Sequence, residues 1–485
     1  MNAVVDGFAS ATAMVRELRA GTVSAVELLD LHIRRIERFN APINAIVIPD
    51  FERARAAAAA ADAARARGED RPLLGLPLTI KDAIDVAGLP TTCGVPERAH
   101  AIPEADARIV AGVRGAGAVI MGKTNVPPNA ADWQTDNPIF GRTNNPWDLD
   151  RIPGGSTGGG AAAVAAGLTP LEFGSDIGGS IRYPAAWCGI YGHRPSAALI
   201  PDSGHFPGSP FPNRTLNLNT LGPLARSAED LALALGVVAG PDIGDEVAWR
   251  LELPPSRHER LADFRVAVLP GADWRPVDAE VATAMEQLAT GLRRSGARVE
   301  EAQPEGFGDG REHHELFQRI TTAISGSRLA PERHAARKAE LLASPDPFGE
   351  VRARALDASA ADYIAWHERR EGFRAAWRAF FRAWDILLAP IVIVPAPPHS
   401  TDPAENRLAS VDGRQVPFRL QQVYSGLSIL GGVPATAFPV GLSREGLPIA
   451  VQAIGPYLED RTPIRFAGLV EAEFGGYRRP PGYEA

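Results

Sequence analysis

Two glycine-flanked serines stand close together in PGGSTGGGAAAVAAGLTPLEFGSDIGGSIRYPAAWCGIYGHRPS, residues 153–196. Cleavage of an amide or ester by serine needs a base for the hydroxyl proton and N–H donors for the developing oxyanion. Gly154-Gly155 before Ser156 and Gly178-Gly179 before Ser180 supply backbone that can approach a ligand closely. Gly154 to Gly158 also fits G-x-S-x-G. That pattern would make Ser156 the nucleophile of a Ser-His-Asp hydrolase, with His193, His205, His313 or His314 as candidate bases. It requires a sharp strand-to-helix turn, and the preceding WDLDRIPGG does not read as a strand. The other source of a base is lysine. Of 50 basic residues only Lys81, Lys123 and Lys338 are lysines. Arginine keeps its proton in a protein whereas a buried lysine can lose it, so a lysine that persists against this background is a candidate for proton transfer.

The elements that must position these residues alternate between the helical and extended periods. Ser24 is an N-cap before the amphipathic AVELLDLHIRRIERF, and ARAAAAAADAARARG is an Ala-rich helix stopped by Gly68. Leu73 to Ile80 is a short apolar run that reads as a buried strand, with Lys81 and Asp82 at its end. AAAVAAGL, between the serines, has almost no side-chain bulk, as expected of a helix packed tightly under a sheet. Strands are also expected at 118–121 and 264–269, DILLAPIVIVPAP (385–397) begins as a strand, and two more lie in GVPATAFPVG and GLPIAVQAIG. Residues 227–240, 278–295 and 462–474 read as helices. Gly117 to Thr124 satisfies the P-loop pattern G-x-x-x-x-G-K-[ST]. The strand falls inside that loop, however, and Val126-Pro127-Pro128 blocks a following helix, so nucleotide binding is not expected. The fold class is α/β: a large mixed β-sheet covered on both faces by helices. The whole chain, 1–485, is read as one domain, with about 241–383 a more variable helical cap.

GGSTGGGAAAVAAGL followed by GSDIGGSIRYPAAWCGIYGHRPS strongly resembles the signature block of the amidase signature family. The likeness extends to LLGLPLTIKD, GAVIMGKTN, FGRTNNPWD and LGPLARSAEDLALALGVVAG, and to GGVPATAFPVGLSREGLPIAVQAIG. It covers most of the chain and is thinnest at 241–383. The resemblance implies a Ser–cis-Ser–Lys unit, with Ser180 as nucleophile, Ser156 as the bridging serine after a cis peptide, and Lys81 as base. It also implies an oxyanion hole from the backbone N–H groups of Ile177, Gly178, Gly179 and Ser180. The chain departs from the family pattern at Thr157, which keeps a hydroxyl, and at Ile429, where an asparagine is usual. Asp176 and Arg182 are read as an ion pair bracing the nucleophile loop, and Lys123 and Cys188 as structural.

The family implies hydrolysis of C–N bonds in non-peptide amides (aryl or alkyl amides, with anilides, esters and carbamates or urethanes in range) through an acyl-serine. The alternative within the family is the glutamine-using subunit of a tRNA-dependent amidotransferase. Trp133, Tyr183, Phe140, Phe206 and Phe211 are candidates for an apolar substrate pocket, with Thr157 beside them. No cation other than Arg182 is evident beside the nucleophile, which favours an uncharged acyl group. Apolar content of 45%, charged content of 22% and net charge −8 are those of a soluble globular chain and argue against nucleic-acid or anionic-membrane partners. The N-terminus lacks a signal-peptide pattern, so a cytoplasmic location is expected. No cofactor is expected, and Cys93 and Cys188 cannot frame a thiolate metal site. Adjacent His313 and His314 lack ligand spacing and are expected to be solvated. The expected partner is a small-molecule amide, with a homodimer as the candidate assembly.

Overall fold

A computed structural model describes residues 5–206, 218–327 and 329–484. Strands β1 (Ile46–Pro49), β2 (Pro77–Lys81) and β3 (Val119–Thr124) come first, followed by a small hairpin of β4 (Asp136–Asn137) and β5 (Gly141–Arg142). Next are β6 (Leu171–Asp176), β7 (Tyr191–Arg194), β8 (Thr220–Ala225), β9 (Arg265–Val268), β10 (Arg298–Glu301) and β11 (Ile386–Pro390). A second hairpin, β12 (Leu408–Val411) and β13 (Arg414–Pro417), precedes β14 (Ala435–Leu442) and β15 (Pro448–Ile454). Among the described residues, 11 of these strands form one sheet in the order β1-β3-β2-β6-β8-β7-β14-β15-β11-β9-β10. The pairs β2–β3, β2–β6, β9–β10 and β9–β11 are parallel and the rest antiparallel, so the sheet is mixed.

Successive side chains of a strand point to opposite faces, and β11 shows what that does here. Ile386 and Leu388 enter one apolar core while Leu387 and Ala389 enter another. The sheet is therefore buried on both sides, and each fully buried Leu or Ile contributes about 1.5–3 kcal/mol. Helices Ala25–Ile43, Gly158–Ala165 and Arg461–Phe474 supply the first core. Helices Arg311–Gly326, Ala360–Ala383 and Gln422–Gly431 supply the second. The capping residues behave as their types dictate. Ser24 closes a capping box with Glu27, and the Ser227 side chain accepts the Asp230 N–H.

Helix Gly158–Ala165 is wholly buried and lies against β1, β2, β3, β6 and β8. Glycine and alanine on its surface are what let it sit so close. Strand β3 runs through Gly122-Lys123-Thr124, so the P-loop pattern is extended backbone and holds no phosphate cradle. The region 241–383 is only partly the expected helical cap. Strands β9 and β10 extend the main sheet, and helix Ala279–Arg294 packs on β10, β11, β14 and β15. The helices of 311–383 follow. His313 and His314, expected to be solvated, are both buried. His313 stacks on Phe307 at 4.6 Å, and His314 meets Phe348 at 4.6 Å, because helix Arg311–Gly326 is enclosed by aromatic neighbours. Burial above all holds both imidazoles neutral, with pKa values lowered to about 3. Among the described residues no helix is long and apolar enough to cross a membrane.

Candidate active site

Lys81 ends β2 with its side chain fully buried. Its Nζ donates to Ser156 Oγ at 2.6 Å, to Thr157 Oγ1 at 3.0 Å and to Ser175 Oγ at 3.0 Å. Among the described residues no carboxylate lies within ion-pair distance of it. Desolvation disfavours the ammonium and draws the pKa from 10.5 to about 7, with the charges of Asp176 and Glu172 pulling it back part of the way. A neutral amine keeps two N–H donors and gains a lone pair, so one of the three hydroxyls can then donate to it. The Ser156 hydroxyl stands nearest. Lys123 is the contrast. It is equally buried, yet it pairs with Asp82 at 3.0 Å and donates to Thr91 Oγ1 and the Pro90 carbonyl, a structural cation. Lys338 is partly exposed and paired with Asp357.

Ser156 follows a cis peptide bond from Gly155. Its loop, Pro153–Thr157, has no regular structure and is anchored by Thr135 Oγ1, which donates to the Gly154 carbonyl at 2.8 Å. No strand precedes it, so the elbow required of a Ser-His-Asp hydrolase is missing, and the Ser156 hydroxyl meets an amine rather than an imidazole. The candidate histidines are employed elsewhere. His193 lies between Thr436 and Asp460, and His314 contacts Gln318.

Ser180 lies in the turn between β6 and helix Arg182–Cys188 and is 5% exposed. The Thr157 N–H donates to its carbonyl at 3.2 Å. The Asp176 carboxylate, at the end of β6, shapes this turn. It accepts the N–H groups of Gly179 at 2.8 Å and Ile181 at 3.3 Å, and it pairs with Arg182 Nε at 3.0 Å. Burial would raise the Asp176 pKa, but the charge and bonds of Arg182 outweigh it and hold the group below the usual range. Asp176 and Arg182 thus brace the loop, as expected. The oxyanion expectation needs one correction. The Gly179 N–H is already taken by Asp176, whereas among the described residues those of Ile177, Gly178 and Ser180 have no protein acceptor. Gly179 adopts φ +99°, and a Cβ there would stand 2.2 Å from the Tyr183 ring.

Two neighbours of the site escaped the sequence reading. Ser175, a ligand of the Lys81 amine, precedes Asp176 on β6; the GSD spelling was its only signal. Gln422 lies against the turn that leads into Ser180, its Nε2 3.0 Å from where a Cβ on Gly178 would be. Its Oε1 accepts from Gln318 Nε2 at 2.9 Å, so its NH₂ is directed away from Gln318. Distance along the chain hid this contact.

The residues proposed for the pocket divide. Thr157 is fully buried and its hydroxyl faces Lys81, which places it behind the serines. Tyr183 is also fully buried, its hydroxyl donating to the Gln421 carbonyl and accepting from the Ser425 hydroxyl, so it supports the Ser180 turn from beneath instead of offering an open wall. Trp133 packs edge-on to Tyr183 at 5.5 Å under the Arg419 guanidinium. Phe206 joins the segment after Lys81, its N–H donating to the Ala83 carbonyl at 2.9 Å. Phe140 is half-buried in the turn between β4 and β5. Phe211 lies outside the described residues. Ile429 is buried in the apolar core, which explains why an apolar side chain is tolerated there. Cys188 is buried, its thiol directed to the Pro153 carbonyl at 3.4 Å, a structural contact.

A family model described as Amidase matches residues 27–463. Indoleacetamide hydrolase of Bradyrhizobium diazoefficiens is 34% identical over 459 residues, covering 93% of this chain and 84% of that protein. A glutamyl-tRNA(Gln) amidotransferase subunit of a Synechococcus species is 34% identical, with 94% of each chain covered. Among solved structures, a bacterial aryl acylamidase of the amidase signature enzymes superposes with TM-score 0.80 at 27% identity, covering 99% of each chain.

Proposed function

This chain belongs to the amidase signature family and is an amide hydrolase, and from that premise we propose that it cleaves small, uncharged, non-peptide amides through an acyl-Ser180 intermediate. The observation that carries the proposal is Lys81, a fully buried amine held by three hydroxyls, with a pKa near 7. In this reading Ser180 Oγ attacks the substrate carbonyl while its proton passes to Ser156, and the Ser156 proton passes to neutral Lys81. The bond from Thr157 N–H to the Ser180 carbonyl supports the relay, because it ties the two serine loops together. The unoccupied N–H groups of Ile177, Gly178 and Ser180 receive the oxyanion, each worth about 3–4 kcal/mol by analogy with a known oxyanion-hole donor. Lys81 then returns the proton through Ser156 to the leaving amine. Water hydrolyses the acyl-serine by the reverse relay.

An uncharged acyl group is supported by the employment of Arg182. Its guanidinium is spent on Asp176, Ser428 Oγ and Gln452 Oε1, so Arg182 itself is not free to meet a substrate carboxylate. Aryl and alkyl amides are therefore the first class to assay, with anilides, esters and carbamates beside them. A panel of p-nitroanilides, primary amides and urethanes tests this, and turnover of none would reject it. A second reading, the glutamine-using component of a tRNA-dependent amidotransferase, is favoured by the equal identity to the Synechococcus protein. Gel filtration of the chain expressed alone, with amidase and glutaminase assays on its peak, separates the two. Active monomer or homodimer supports the stand-alone enzyme; glutaminase activity that appears only with added partner proteins supports the other.

A further inference from the structure

Strand β6 carries a buried acid that the relay above does not use. Glu172 is fully buried, and its carboxylate accepts from the hydroxyls of Thr79 and Thr124. Among the described residues no cation is within ion-pair distance of it. An anion with only hydroxyl donors in a dry interior is costly, so its surroundings have to be accounted for.

The register places it beside Lys81. Glu172 pairs with Thr79 across β6 and β2, and Lys81 lies two residues beyond Thr79, on the same face of β2. Helix Gly158–Ala165 covers this face. A Cβ on its Gly160 would stand 2.4 Å from Glu172 Cγ. Thr157, at the N-cap of that helix, packs on Gly174 of the same face and takes the bond from Lys81. Thr157 and Gly160, three residues apart at the start of one helix, thus lie against the Lys81 amine and Glu172 respectively.

We propose that Glu172 is a positioning residue for the proton on Lys81: its negative charge, acting across this face, sets the pH at which Lys81 becomes the neutral base. The other acids facing Lys81 are weaker candidates. Asp176 is neutralised by Arg182, Asp82 is paired with Lys123, and burial pushes the Cys93 thiol up to about 12, leaving it uncharged. Facing Glu172 are Thr79, Thr124 and Lys81; Lys123, beside Thr124 in the chain, is committed to Asp82. The direction of mutual influence agrees. Burial raises Glu172 to about 7 and the two hydroxyls and Lys81 draw it back, while Glu172 in turn favours the ammonium of Lys81.

The inference deepens the catalytic reading, but its test does not depend on turnover. Because the chain has three lysines, labelling with lysine carrying ¹³C at Cε gives three signals, and the one lost in Lys81→Met is Lys81. Titration from about pH 5 to about pH 10 in the parent and in Glu172→Gln then reads the midpoint of Lys81 directly. Removing the charge should lower it by roughly half a unit to one unit, with Lys123 and Lys338 unmoved. The acid limb of kcat/KM on a turned-over amide should shift the same way. If Glu172→Gln does not fold, Thr124→Val removes one donor that favours the carboxylate and should shift Lys81 in the same direction by less. An unmoved or raised midpoint in the folded variant overturns the inference. A lowered midpoint in a protein that hydrolyses no amide would keep it and reject the catalytic reading instead.

Discussion

The Thr157 N–H donates to the carbonyl of Ser180 at 3.2 Å, joining two loops that lie 23 residues apart along the chain. Because the Thr157 hydroxyl also receives the Lys81 amine, one residue fixes the lysine and both serines relative to each other. An arrangement held this way is preorganised, and losing any reacting member should cost most of the rate.

Ser180→Ala is therefore expected to reduce kcat on a reactive amide by on the order of 10⁴-fold or more, with the melting temperature nearly unchanged. Reaction of the parent with a sulfonyl fluoride, followed by peptide mass mapping, should label Ser180. Labelling of Ser156 would reverse the roles assigned to the two hydroxyls.

The pH dependence follows from Lys81. The base must be neutral, so kcat/KM should fall as the pH drops through about 7 and level off above it. Lys81→Ala should lose orders of magnitude at neutral pH and recover partly at high pH, where hydroxide takes over. Stability carries the same sign. The folded pKa lies below the unfolded value of 10.5, so between about 7 and 10.5 the unfolded chain binds the extra proton and folding is favoured as pH rises. Relative to the parent, Lys81→Met should thus be most favourable at or below pH 7 and lose that advantage toward pH 10.5, a trend that urea midpoints across the window can follow.

Asp176 is expected to behave as a structural anion. Asp176→Ala leaves Arg182 buried without its carboxylate and frees the Gly179 and Ile181 N–H groups, and should cost about 3–5 kcal/mol in denaturant unfolding. Removing both charges, as Asp176→Leu with Arg182→Met, should cost less than the sum of the single changes. Strict additivity would mean the pair is not coupled.

How much of this was legible depended on whether local chemistry or tertiary enclosure decides. The caps at Ser24 and Ser227, the strand that ends in Lys81 and the bulk-free helix between the serines follow from local residue types, and the structure contains them. His313 and His314 did not, because their adjacency on a helix says nothing of the aromatic walls brought by Phe307 and Phe348 from other segments. Strand β7, YGHR, reads as polar, yet His193 is buried against Thr436 and Asp460 from the far end of the chain. The glycines of the nucleophile turn signalled free N–H groups. Which of them is free depends on Asp176, whose reach forward to Gly179 leaves no mark in a pattern.

That turn also gives the sharpest test of backbone control. Gly179 sits at φ +99°, where a side chain is strained, and its missing Cβ leaves room for the Tyr183 ring. The ring cannot simply move aside, since its hydroxyl is held by the Gln421 carbonyl and Ser425 Oγ and its face by Trp187 at 5.8 Å. Gly179→Ala should therefore push the Ile177–Ser180 N–H groups out of line, lowering kcat more than it raises KM, and should destabilise the fold by about 1–3 kcal/mol. The collision and the strained φ can be told apart. Adding Tyr183→Ala removes the ring, so part of the activity should return in the double variant even though the cavity lowers stability further. If the double variant is no more active than Gly179→Ala alone, the ring is not what positions the turn, and the glycine is required for its backbone angle only.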